Sequence, residues 1–201
     1  VVAQGTGARL IGSVSTLRIG RGLGLPSAQM QLVQPGEQVR LGRFTLRFIA
    51  SRHSPTPYSD GHSVELIESD LVPPQRVFAW REGTVWSIHV THDSGGTWLV
   101  QGSAGFVPGA LAGLKADTVF LGTGTLGKKA EHYRAQFWDE TVKAVGARRV
   151  VPIHWDNFWL ALDQPSQAMP FLLDDFALAM QHLQARGRRD GVEVRMPPLF
   201  T

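Results

Sequence analysis

Two short apolar runs set the terms for everything else in this chain. ADTVFLG (116–122) and RRVVPIH (148–154) are each long enough for one strand and show no polar alternation, so both read as buried strands. Between them KAEHYRAQFWDETVKAVG (129–146) has the spacing of an amphipathic helix closed by Gly146. A short helix at GFVPGALAGL precedes the first strand. A further helix over PFLLDDFALAMQHLQARG, with Leu172, Phe176, Ala179, Met180 and Leu183 on its apolar face, leads to a last strand at VEVRM. Helix and strand alternate throughout this half.

The first half has a different rhythm. EQVRL and FTLRFIAS flank a turn at Gly42-Arg43, and Phe44, Leu46 and Phe48 alternate with Thr45, Arg47 and Ile49 as in a hairpin strand. TVWSIHVTH and TWLVQGS flank DSGG, a second hairpin, beyond a loop rich in Ser, Pro, Gly and Asp. Hairpins followed by alternating units predict layered α and β structure around a mixed sheet, in one domain over 1–201. VVAQGTGARLIGS begins in mid-pattern, as a helix ending near Gly5 or Gly7 before a strand at ARLIGS, and the expectation is a missing amino-terminal segment.

Bulk chemistry narrows the function classes. With no cysteine there are no disulfides, thiolate metal sites or cysteine nucleophiles. The net charge of +3 comes from 20 basic against 17 acidic side chains in short scattered groups, which gives no strong nucleic-acid signal. No apolar run reaches the ~18 residues of a membrane span, so the reading is a soluble chain, with the cytoplasm slightly favoured.

Chemistry concentrates at strand ends. FIASRHSP puts His53 just past one strand, WLVQGSAGF puts Ser103 past another and VVPIHWDNF puts His154 past a third. If these ends lie together, two imidazoles and a hydroxyl converge on a cleft suited to a divalent metal. LGTGTLGKK competes with this: Gly122, Gly124 and Gly127 fit a dinucleotide fingerprint between strand and helix, but the next strand ends in Pro152-Ile153-His154 without the acidic residue that would hold a ribose.

Taken in order, RHSP, LVQGSAGF, ADTVFLGTGTLG and VVPIHWDNF resemble the carboxyl-terminal two thirds of metallo-β-lactamase-fold hydrolases. The resemblance implies an αββα sandwich lacking its amino-terminal part. It also implies one or two metal ions, zinc first, with manganese or iron as alternatives. The activity it implies is hydrolysis of an ester, lactone, amide or phosphodiester-type bond by a metal-bound water. By matched position His53 looks like the third histidine of the first metal site and His154 like the last histidine of the second. Ser103 stands where the bridging aspartate usually stands, a poor substitute because hard cations favour charged oxygen. The family's H-x-H-x-D-H motif, which carries the catalytic base, is absent from the chain and would lie before Val1.

Around these residues several readings stay open. Asp156 either supports a ligand histidine or caps the following turn. Tyr58 and Trp155 are candidate substrate contacts, with Trp159 as a further wall, while the other tryptophans are expected mainly in the core. His89 and His92 fall on opposite faces of one strand, and His62, His132 and His182 are expected at the surface. The expected partners are a small-molecule or anionic substrate, and a second copy or a complementing amino-terminal segment. Against the hydrolase stand a truncated or degenerate, non-catalytic relative with a binding role and a nucleotide-binding protein.

Overall fold

The computed structural model of the chain describes residues 2–56, 66–161 and 163–196. The elements run α1 (Val2–Thr6), β1 (Leu10–Gly12), α2 (Val14–Gly22), β2 (Met30–Leu32), β3 (Gln38–Leu41), β4 (Phe44–Ala50), β5 (Trp86–His92), β6 (Thr97–Gln101), β7 (Thr118–Gly122), α3 (Glu131–Trp138), β8 (Arg149–Ile153), α4 (Phe176–Asp190) and β9 (Glu193–Val194).

Strands β3 to β9 form one seven-stranded sheet in sequence order. The predicted hairpins are its antiparallel half, with Gly42 and Gly95 taking the positive φ that their turns require. From β6 onward every pairing is parallel. Strands β4, β6, β7 and β8 therefore all point the same way.

One face of this sheet carries the main core, where Leu99, Val119, Leu121 and Val150 meet Phe137, Trp138 and Val142 around α3, and Ala179 and Leu183 from α4. On the other face Phe48 and Val39 pack with Val33 and Ile11. Ile11 belongs to β1, which pairs in parallel with β2. The neighbours of Ile11 in this small sheet, Leu10 and Met30, turn the opposite way, and a Cβ on Gly20 of α2 would lie 2.7 Å from both side chains. The layers are thus helix, large sheet, small sheet, helix: an αββα sandwich, the fold class expected from the sequence.

Local details differ from expectation. GFVPGALAGL is a series of turns, because Pro108 breaks it and Gly109 and Gly113 sit at φ +73° and +78°. The last helix begins at Phe176, where the Asp175 side chain accepts from Leu178 N–H and caps it, so Leu172 lies outside the helix and is exposed. The helix before Gly146 continues past Trp138 as a π-turn over Asp139–Lys143. Helix α2 was not legible, since two glycines and a Thr interrupt its pattern; Ser13 caps it through Thr16 N–H. Among the tryptophans Trp138 is fully buried, whereas Trp80 and Trp159 are exposed. None of the described helices is long and apolar enough to cross a membrane.

His132 is exposed as expected, whereas His182 is half-buried. Its Nε2 is buried on α4 with no hydrogen-bond partner among the described residues. Burial holds its pKa below the ordinary histidine value, opposed by a hydrogen bond with the Arg134 backbone, while the Arg134 and Arg186 charges press the same way as burial and Glu131 presses against it. The folded state then binds fewer protons than the unfolded chain, so stability falls as pH drops below ~6.5. His182→Gln should remove part of that loss: between about pH 7.5 and 5.5 the thermal midpoint of the parent should fall further than that of the variant. Equal falls would exclude this account.

Candidate functional site

The common direction of β4, β6, β7 and β8 delivers their carboxyl ends to one edge of the sheet, the place where open α/β sheets bind ligands. His53 follows β4, Ser103 follows β6, Thr123 to Thr125 follow β7, and His154 follows β8 directly. Strand β4 and strand β8 are four intervals apart, or ~19 Å at ordinary strand spacing, so their loops must bend inward for these residues to approach.

The chain after β4 does so. Ser54 N–H donates to Ser103 Oγ at 2.8 Å, and Ser54 Oγ lies 2.7 Å from Thr125 Oγ1. The 53–54 segment therefore crosses the ends of β5 and β6 and reaches the loop of β7. Glycines permit the approach: a Cβ at Gly105 would lie 2.3 Å from the carbonyl oxygens of Arg52 and His53, and one at Gly122 would lie 2.6 Å from the Gly102 carbonyl carbon. On the far side a Cβ at Gly124 would come within 3.2 Å of His154 Nε2, so the imidazole lies against bare backbone there. His53, Ser54, Ser103, Thr125, Gly124 and His154 form one continuous line of contacts.

The two imidazoles are held differently. His53 Nδ1 is 2.9 Å from the Ser54 carbonyl, which can only accept; Nδ1 therefore carries the hydrogen and the neutral ring keeps its lone pair on Nε2. Glu82 Oε1 approaches the same Nδ1 at 3.4 Å. This backbone-anchored tautomer is the one that ligand histidines commonly use. His154 sits at φ +55°, in the left-handed region that costs a non-glycine residue about 1–2 kcal/mol, and its ring is exposed beside Phe158.

The remaining candidates scatter. Trp155 packs its ring on Phe176, 5.2 Å between centroids. Asp156 forms an isolated bridge with Ala168, and the turn beyond it is capped by Asn157, whose Oδ1 accepts from Trp159 N–H. Tyr58 and His62 lie outside the described residues. His89 bonds the Lys115 carbonyl and His92 pairs with Ser94, both away from the cleft.

Tested against a metal, the donors fit in kind but not in number. Zinc sites use at least three protein ligands. Among the described residues no three His, Asp or Glu side chains gather, and the Ser103 hydroxyl already accepts a backbone hydrogen bond.

Two residues that sequence reading passed over hold this edge together. Gln101, fully buried, donates from Nε2 to Gly105 O at 2.6 Å and to Ser51 Oγ and Ser103 O, while its Oε1 accepts from Ser87. A glutamine inside the apolar run WLVQ was the available signal. Asp174 is buried behind the β7 loop and accepts from Gly127 N–H at 3.2 Å. Burial raises its carboxyl pKa, and hydrogen bonds from the Thr125, Asp175 and Gly127 amides hold the rise in check.

These contacts also account for the glycine triplet. Gly122 faces Gly102, Gly124 faces His154, and Gly127 faces Asp175, whose carbonyl oxygen would lie 1.9 Å from an added Cβ. The loop runs into a 3₁₀ turn, Leu126–Lys128, and the Gly127 amide that a phosphate would take is bonded to Asp174. Gly127→Ala should therefore lower unfolding free energy by about 1–3 kcal/mol through overpacking, measured by denaturant titration. Adding NAD or ATP should leave hydrogen exchange over 122–127 unchanged; protection there would restore the nucleotide reading.

No family model and no curated protein matches the chain. Among solved structures, a mutant of the CmlA β-hydroxylase aligns at 16% identity and TM-score 0.44, over 94% of this chain and 36% of that one. The metallo-β-lactamase fold protein YhfI from Bacillus subtilis aligns at 13% identity and TM-score 0.49, over 98% of this chain and 66% of its own length.

Proposed function

We propose that the chain is part of a metal-dependent hydrolase and that His53 and His154 are two of its metal ligands. The observation that supports this most is the line of contacts joining them across four strand ends, with the His53 tautomer fixed so that Nε2 keeps its lone pair. Zinc is the first choice for imidazole donors, with manganese or iron as alternatives. The ligands still needed, and the general base, would come from outside the described residues. A divalent ion held there would contribute a Lewis acid and a water of lowered pKa for attack on an ester, lactone, amide or phosphodiester-type bond. The chain's own residues have positioning roles in this reading: Ser103 and Ser54 fix the His53 loop, and Gly124 leaves room for the His154 ring.

A second reading, a binding protein on the same scaffold without catalysis, draws on Ser103. Its hydroxyl is neutral, buried and already engaged where a bridging carboxylate would stand.

Metal content separates the two. After gel filtration in metal-free buffer, elemental mass spectrometry should find about one equivalent of zinc, manganese or iron in the parent, and markedly less in His53→Ala and His154→Ala. A metal-free parent would sink the hydrolase reading and leave the binding scaffold.

A further inference from the structure

Beside His53, on the side toward α3, lies a cavity of about 200 Å³. Its walls are mostly apolar, with the Phe106 and Tyr133 rings 5.5 Å apart and Pro55 and Pro108 at the rim. Its polar lining, besides the Tyr133 hydroxyl, comes from His53 itself, Arg52 and Gln136. Arg52 is half-buried and makes no ion pair or hydrogen bond among the described residues, and the same holds for the Gln136 amide. A guanidinium partly withdrawn from water is stabilised by an anion placed beside it.

We propose that this cavity binds a small monocarboxylate, its acid group paired with Arg52 and Gln136 and its apolar body against Phe106 and Tyr133. The planar guanidinium fork matches a carboxylate in bidentate geometry. One cation and one amide balance a single negative charge, which favours a carboxylate over a phosphate dianion. The nearby ammonium of Lys129 is engaged by the Pro55 carbonyl. Tyr133 does not compete as an anion: its hydroxyl donates to the Ala104 carbonyl at 2.8 Å, and burial pushes its pKa up to about 12 against the pull of the Arg52 charge. The volume lies below the ~300–1,000 Å³ of drug-sized pockets, so the ligand is a one-ring or short-chain acid.

This deepens the proposed function, since an acid group seated beside His53 would orient a carboxylate-bearing substrate toward that histidine. Calorimetric titration of the full chain with benzoate, and separately with inorganic phosphate, tests it. Benzoate should bind the parent, and Arg52→Gln should weaken it roughly tenfold or more, the loss expected for one charged hydrogen-bonded pair. Arg52→Lys should recover part of the affinity. Circular dichroism and thermal midpoint of Arg52→Gln should match the parent, because no described contact is lost. Absence of benzoate binding, equal binding by Arg52→Gln, or tighter binding of phosphate than benzoate would each overturn the assignment. Benzoate binding by a metal-free parent keeps this site and removes only the metal reading; metal without benzoate binding does the reverse.

Discussion

The change from antiparallel to parallel pairing at β6 is the constraint on which the rest depends. Because β5 runs back between β4 and β6, and β7 and β8 then follow β6 in parallel, four carboxyl ends fall on one edge. Parallel pairing demands crossover connections, and α3 and its π-turn fill the one between β7 and β8 while burying Phe137 and Trp138 against the sheet. The apolar core and the polar edge are thus products of one topology. Burial of Leu99, Val119, Leu121 and Val150 holds the strands in register, and register sets where His154 and Ser103 emerge.

Direction alone leaves the outer strand ends too far apart for shared chemistry. The gap closes because the backbone approaches itself at Gly105 and Gly122 to distances that no Cβ would allow, while Gly124 lies close against His154. Gln101 then distributes its amide hydrogens among Ser51, Ser103 and Gly105, tying the ends of β4 and β6 together beneath the loops. A single buried side chain with several acceptors makes such an edge rigid, since moving any one loop strands a polar group away from water.

Much of this was written in the pattern of the chain. Eight of the nine strands, all but β2, follow from the apolar runs and turn glycines read in the sequence, and strand-end placement of His53, Ser103 and His154 follows from where those runs stop. What escaped is long-range. Nothing local says that Asp175 rather than Pro170 begins the last helix, that His182 faces the interior, or that Gly127 is glycine because Asp175 passes over it. The Arg52 cavity was equally hidden, because its walls come from segments some eighty residues apart in sequence. Local patterns report which face a residue prefers; they do not report which segment will cover it.

Ser103 has a consequence for how the edge folds. A carboxylate buried at that position would carry a charge whose desolvation only a cation or several donors could offset, as Asp174 illustrates by needing backbone amides around it. The hydroxyl carries no such charge. It accepts Ser54 N–H, and Ser54 in turn meets Thr125, a chain of neutral groups at this point of the edge. The two imidazoles are held in place by carbonyl, glycine and hydroxyl contacts that exist in advance, so whatever binds between them meets an edge already assembled.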